Sequence, residues 1–333
     1  MLPETLTSMN SKSVKPRITR HPDGISAVDA EYVHPGHAAV HIIQQNGRAA
    51  FVDTGTNYSV PYLLAALEEL GAARDTVDYV FLTHVHMDHA GGAGLLMQEL
   101  PTARLLVHPR GMPHMIDPST VVAASQAVYG EDEFRQLYGD VLPVPSERVV
   151  SVADGFRCTL GGRELELIHT PGHALHHYAI IDRANALIFS GDTFGISYRE
   201  LDTPQGPFIL PTTSPSQFDP DQLITSIDRL MSYAPDSMYL MHYSRVTDTM
   251  RLATLLKSQI REFVRIVRER QALPDRHNAI RAEMMQLWLK LLQQQGSTMA
   301  VDEVARLLES DLELNTQGLL IWFERQRKSN LSV

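Results

Sequence analysis

Hydrophobic and polar positions follow two textures along the chain. From residue 23 to 247, short apolar or alternating runs are separated by turn residues, the pattern of strands interleaved with short helices. Residues 25–33, 38–45 and 49–53 are the first predicted strands, with Pro35-Gly36 and Asn46-Gly47 as turns. Residues 61–70 set Leu63, Leu64, Leu67 and Leu70 on one helical face, closed by Gly71. Strands at 80–82 and 104–108 bracket a helix at 93–100 that ends at Pro101. Strands at 149–152, 156–160 and 164–169 are divided by Asp154-Gly155 and Gly161-Gly162. Residues 179–182 and 186–189 form a hairpin, 220–233 a helix and 238–241 a last strand. Between these, 115–142 is a helical insertion containing Tyr129, Phe134 and Tyr138, expected to wall a cleft. Residues 195–217 hold Pro204, Pro207, Pro211 and Pro215 and are expected as a loop near the mouth of a site.

Beyond residue 247 the apolar period becomes helical. Leu252, Leu255, Leu256, Ile260 and Phe263 share one face, and Met284, Leu287, Trp288 and Leu291 another, with breaks near Pro274, Gly296 and Asn315. The expected division is a tail or arm at 1–22, a catalytic domain at 23–247 and a helical region at 248–333. The helical region is expected to cap the domain or to join two copies as a homodimer. The tail is polar and basic, with Lys12, Lys15, Arg17 and Arg20.

Composition narrows this picture. A chain of 333 residues, 44% hydrophobic and 20% charged, has the balance of an ordinary globular protein. Its formal net charge of −10 disfavours a sequence-independent nucleic-acid partner. Cys158 is the only cysteine, so no internal disulfide exists, and its strand-like setting marks it as a packed residue. No secretory leader and no membrane-length apolar run is visible, so a cytoplasmic protein without a membrane partner is expected.

The chemistry concentrates in residues 80–92, where an apolar strand runs into His84, His86, Asp88 and His89 and then Gly91-Gly92. Strand alternation turns His84 and His86 to one side, while Asp88 and His89, past the bend, can aim at a second point. The simplest geometry is two adjacent metal sites in one cradle, with imidazole and carboxylate ligands suited to Zn, Fe or Mn. Other strand ends carry Val52-Asp53-Thr54-Gly55, Thr170-Pro171-Gly172-His173, Ser190-Gly191-Asp192-Thr193 and His242-Tyr243. His108 and His114 are expected in surface or capping roles, and His169 and His176 as partly exposed polar residues.

The run Thr83-His84-Val85-His86-Met87-Asp88-His89 resembles the Thr-His-x-His-x-Asp-His signature of the metallo-β-lactamase superfamily, and within it looks most like glyoxalase II-type hydrolases. That resemblance implies an α/β fold, the αββα sandwich, here with a C-terminal helical extension. It also implies two divalent metal ions, zinc foremost, with iron or manganese compatible. His84, His86 and His173 would hold the first, Asp88, His89 and His242 the second, and Asp192 would bridge them. Asp53 would hydrogen-bond a metal-ligating histidine, with His177 close by. Such a pair lowers the pKa of a bridging water, and the hydroxide attacks a small-molecule thioester, lactone or phosphoester. Asp88 and Asp192 are the expected catalytic carboxylates. Family habit makes Tyr198 and Tyr243 oxyanion donors, although each is more often a packing tyrosine. The bridging aspartate disfavours the class B β-lactamases, and His86 disfavours the flavodiiron reductases, which carry Glu there. The helical tail favours a thioesterase. The competing reading is a metal-binding signalling or interaction protein with little turnover.

Overall fold

The computed structural model describes residues 14–213 and 217–330; Lys12 of the expected tail and Pro215 of the expected loop lie outside them. One sheet follows chain order: β1 (Ile18–Arg20), β2 (Ile25–Asp29), β3 (Ala39–Gln45), β4 (Arg48–Val52), β5 (Val77–Phe81), β6 (Arg104–Val107) and β7 (Val149–Ser151). The other contains β8 (Phe156–Leu160), β9 (Arg163–His169), β10 (Tyr178–Asp182), β11 (Leu187–Phe189), β12 (Ser237–Leu240) and β13 (Ser244–Val246), in reverse spatial order from β13 to β8. Alternation drives the packing. Leu165, Leu167, Tyr178, Ile180 and Phe189 of the second sheet meet Ile43, Ala50, Val52 and Phe81 of the first in a buried layer between them.

Helices cover both outer faces, completing an αββα sandwich. α1 (Val60–Glu69), α2 (Met87–Ala90) and α3 (Ala93–Glu99) lie on the first sheet. The insertion forms α4 (Met112–Ile116), α5 (Ser119–Tyr129) and α6 (Glu131–Tyr138), with Phe134 and Tyr138 packed on Met87. α7 (Pro220–Met231) covers the second sheet with α8 (Thr249–Arg270), α9 (Arg276–Gln294), α10 (Val301–Leu307) and α11 (Glu309–Asn330). Leu252, Leu256, Ile260 and Phe263 share one buried cluster with Ile168, Ile188, Met238 and Leu223, so these helices and the second sheet bury a common core. Among the described residues, no helix is long and apolar enough to cross a membrane.

The expected elements differ from the observed ones in five places, one being that the expected last strand, β12, is followed by β13, which pairs with it antiparallel. β2 stops at Asp29, whose carboxylate accepts the N–H groups of Glu31 (2.9 Å) and Gly36 (2.8 Å) and folds the following residues into a turn that exposes Val33. Residues 18–20, inside the expected tail, pair with β2 of the same chain. The expected loop at 195–217 is largely interior: an Ile196–Leu210 bridge and the buried Phe208, Ile209 and Leu210 make it a strap across the second sheet's helices. α11 continues through Asn315 without a break, because the Asn315 amide donates to Asp311 O one turn back.

Glycines set one tight turn and one close approach. Asn46-Gly47 turns with positive φ at both positions, which joins β3 to β4 by the tightest hairpin geometry. Gly172 has φ +129° and a Cβ there would overlap the Leu223 backbone of α7. Gly172→Ala is therefore expected to lower unfolding free energy by about 2–4 kcal/mol through strain and overpacking. Urea unfolding measures this, and an unchanged midpoint would contradict the packing described for α7.

Candidate metal centre

β4 and β5 run parallel, as do β11 and β12, and β9 runs the same way as β11 because β10 is antiparallel to both. Loops leaving the C-terminal ends of these strands therefore gather at one edge of the sandwich. Asp53 follows β4, His84 and His86 follow β5, His173 follows β9, Asp192 follows β11 and His242 follows β12. Asp88 and His89 sit in α2, which begins immediately after His86. The loop after β4 lies against this segment: Thr54 donates its N–H (2.8 Å) and its hydroxyl (2.9 Å) to His89 O. Gly92 makes room for it, since a Cβ there would come within 2.6 Å of Thr56 O. This is the physical reason for small residues behind the His-x-His-x-Asp-His run.

Three groups of ligand atoms converge, each within 4.8 Å of one another: His84, His86 and His173; His84, His89 and Asp192; Asp88, His89 and His242. His86 Nδ1 lies 2.9 Å from His84 Nε2 and 3.1 Å from His173 Nε2. Ligand nitrogens held tetrahedrally about 2 Å from one ion lie about 3.3 Å apart, so the triad matches a single cation. Asp192 Oδ1 is 3.2 Å from His89 Nε2, and Oδ2 is 3.5 Å from His173 Nε2. Asp88 Oδ2 is 3.2 Å from His242 Nε2 and 3.7 Å from His89 Nε2. Every residue expected as a ligand is thus at this edge.

The far nitrogens are anchored, which fixes the tautomers. His89 Nδ1 donates to Asp53 Oδ2 (2.9 Å), whose carboxylate also accepts the N–H and hydroxyl of Thr83. His173 Nδ1 donates to Thr212 O (3.2 Å) and His242 Nδ1 to His37 O (3.0 Å). Each therefore turns an unprotonated Nε2 towards the centre. His177 acts on Asp192 through the backbone, its Nε2 accepting the Asp192 N–H at 3.1 Å while Nδ1 faces the Thr170 and Thr193 hydroxyls.

Electrostatics divide the site in two. Burial and neighbouring rings hold His84 well below the ordinary imidazole value and His86 at about 3, so both are neutral donors. Burial opposes charge on His89 as well, yet Asp192, Asp53 and Asp88 outweigh it and hold that ring well above its usual value. Desolvation likewise opposes ionised Asp88 and Asp192, but the surrounding histidines, His89 foremost, keep both carboxylates well below their usual range. The second half therefore draws positive charge inward. His89 Nε2 and Asp192 Oδ1 are buried and have no hydrogen-bond partner among the described residues. Leaving two such atoms unsatisfied costs about 1–3 kcal/mol each, a cost that a cation between them removes. The donor set fits divalent metal ions.

Some residues fall elsewhere than expected. His176 is buried, not partly exposed: it packs on the His84 and His86 rings and its Nδ1 accepts the Val85 N–H at 3.4 Å. His108 takes the expected capping role, its Nδ1 accepting the Arg110 N–H, but it is buried, its ring 4.0 Å from that of His169. Tyr198 is buried with its hydroxyl donating to Asp311 Oδ1 at 3.2 Å, so that group is already engaged. Sequence reasoning missed His37, whose carbonyl anchors His242 and whose ring stacks on Tyr198 at 5.2 Å. Burial and His242 push that ring down to about 3, leaving it neutral. It also missed Thr212. Both act through main-chain oxygens, which no side-chain motif announces.

Comparisons with known proteins agree with this arrangement. A metallo-β-lactamase fold-containing protein of Sulfurisphaera tokodaii is 25% identical over 224 residues, 66% of this chain and 78% of that protein. A hydroxyacylglutathione hydrolase of Aeromonas hydrophila is 28% identical over 155 residues, 46% of this chain and 45% of the relative, so the chain spans under half of that enzyme. The human acyl-coenzyme A thioesterase is 27% identical over 195 residues, 51% of this chain and 63% of the relative. The solved archaeal metallo-β-lactamase superfamily protein from Sulfolobus tokodaii shares the fold with a TM-score of 0.63 at 21% identity, covering 90% of this chain and 99% of that one. The metallo-β-lactamase superfamily model matches residues 33–298, from the turn before β3 to beyond α9. With that match, the αββα sandwich and the histidine–aspartate cluster at its edge, the chain belongs to the metallo-β-lactamase superfamily, a group made up mostly of hydrolases.

Proposed function

We propose that the protein is a dinuclear metal-dependent hydrolase acting on small-molecule thioesters. The observation that carries this reading is the pair of donor triads, His84/His86/His173 and Asp88/His89/His242, with Asp192 between them. Zinc, iron and manganese all accept such imidazole and carboxylate ligands, with zinc the first expectation. Two cations bound there would polarise an acyl carbonyl and make a water molecule acidic enough to lose its proton near neutral pH.

The protein's own groups do the rest. His37 O holds the His242 ring so that Nε2 faces Asp88 Oδ2. That leaves Asp88 Oδ1 to take the proton of the attacking water and return it to the departing thiolate. Asp53, through His89 Nδ1, keeps the His89 lone pair on the centre. Beside the site, Tyr138 stacks on Tyr32 (5.9 Å), Tyr32 meets the His37 ring edge-on (5.5 Å), and His37 stacks on Tyr198. This row of rings joins the insertion to the metal edge. Thioesters are favoured over lactones and phosphoesters by the acyl-coenzyme A thioesterase and hydroxyacylglutathione hydrolase among the relatives.

Hydrolysis of S-acyl glutathione, acyl-coenzyme A, lactone and phosphodiester substrates by protein loaded separately with zinc, manganese or iron tests this. A thioester is expected to reach a kcat/KM near ~10⁴ M⁻¹s⁻¹, and Asp192→Asn to lose at least about 100-fold. Background rates throughout, with metal fully bound, would overturn the hydrolase reading and favour a metal-binding signalling protein. A second expectation concerns Asp53→Asn, which replaces the charged acceptor of His89 with a neutral one. Its affinity for one ion should fall about 10–100-fold in competition with a chelator; wild-type affinity would remove Asp53 from the account.

A further inference from the structure

His173 reaches the centre with Nε2 only because its Nδ1–H is held by Thr212 O. The same peptide unit is gripped at its other end, where Thr213 N–H donates to Asn315 Oδ1 of α11 at 3.0 Å. Asn315 is buried and its amide orientation is fixed, since the nitrogen donates to Asp311 O at 2.7 Å and only the oxygen is left for Thr213. Thr213 closes the contact by donating its hydroxyl to Asn315 O at 3.0 Å. Gly318, one turn further along α11, lies so near the strap that a Cβ would overlap Thr213 O. Glycine is a poor helix former, and here it permits the approach. α8 holds the same strap, Gln259 donating to Ile209 O at 2.8 Å while Trp288 of α9 donates to Gln259 Oε1 at 3.0 Å.

We propose that Asn315 is a positioning residue for the metal centre, orienting His173 through the single Thr212–Thr213 peptide and so making the C-terminal helices part of the first metal site. The proposal rests on the metal-dependent reading above. Hydrogen bonds at both ends of one peptide strengthen each other, so losing the Asn315 contact loosens and weakens the Thr212 acceptor. The Asp88/His89/His242 side has its own anchors at Asp53 and His37 and should not respond.

The test is zinc binding by the full chain in competition with a chromophoric chelator, with apo-protein melting measured in parallel. Wild type is expected to bind two ions. Asn315→Ala should weaken one of them about tenfold and leave the other unchanged. Gly318→Ala, which shifts the strap without touching Asn315, should weaken the same ion. A loss confined to one ion, with the other bound as in wild type and the apo-protein melting little changed, is a result that a general loss of helix stability would not give. Gln317→Ala, whose side chain bonds Glu313 on the same helix, should bind as wild type does. Two ions at wild-type affinity in both Asn315→Ala and Gly318→Ala would overturn the proposal while leaving the metal reading intact. A wild-type protein that binds none of zinc, iron or manganese would overturn both.

Discussion

Imidazole nitrogens and carboxylate oxygens crowded at one buried edge constrain everything else in this molecule. Neutral rings at His84, His86 and His173 aim lone pairs at each other, while Asp88 and Asp192 keep their charge away from water. Without a positive charge between them such groups repel, and burial removes the solvent that would soften the repulsion. His89 Nε2 and Asp192 Oδ1 meet at 3.2 Å without a hydrogen bond between them, which marks where a positive charge is wanted. Divalent cations would complete the balance. The fold's task is to hold this arrangement against its own repulsion.

It does so from behind. The outward-facing nitrogens of His89, His242 and His173 donate to acceptors set by different layers: Asp53 from the first sheet, the His37 carbonyl from the turn before β3, and the Thr212 carbonyl from the strap. The strap is in turn fixed by α8 and α11. The helices beyond residue 247 therefore share the second sheet's core and also reach the centre through two hydrogen bonds and one peptide. The insertion approaches from the opposite side, where Phe134 and Tyr138 pack on Met87 between two ligands.

The sandwich and the histidines and aspartates gathered at its edge were legible because they rest on local signals. Apolar runs ending in His84, His173, Asp192 and His242 announce strand ends, and their imidazole and carboxylate groups stand out by residue type. What escaped the sequence depends on distant approach or on main-chain atoms. Asp29 ending β2 through Gly36, His176 buried against the His84 ring, and Asn315 continuing α11 while bonding Thr213 each follow from tertiary contacts. The prolines of the strap correctly signalled irregular backbone, yet not that it would be buried, because its carbonyls find partners on helices far away in sequence. His37 and Thr212 contribute oxygens that any residue possesses.

Anomalous X-ray scattering from crystals of the zinc-loaded full chain, collected at the zinc edge, tests the central claim most directly. Two peaks are expected, one among His84, His86 and His173 and one among Asp88, His89 and His242, flanking the Asp192 carboxylate. No peak at this edge of the sandwich, or a single peak bound by neither triad, would contradict it.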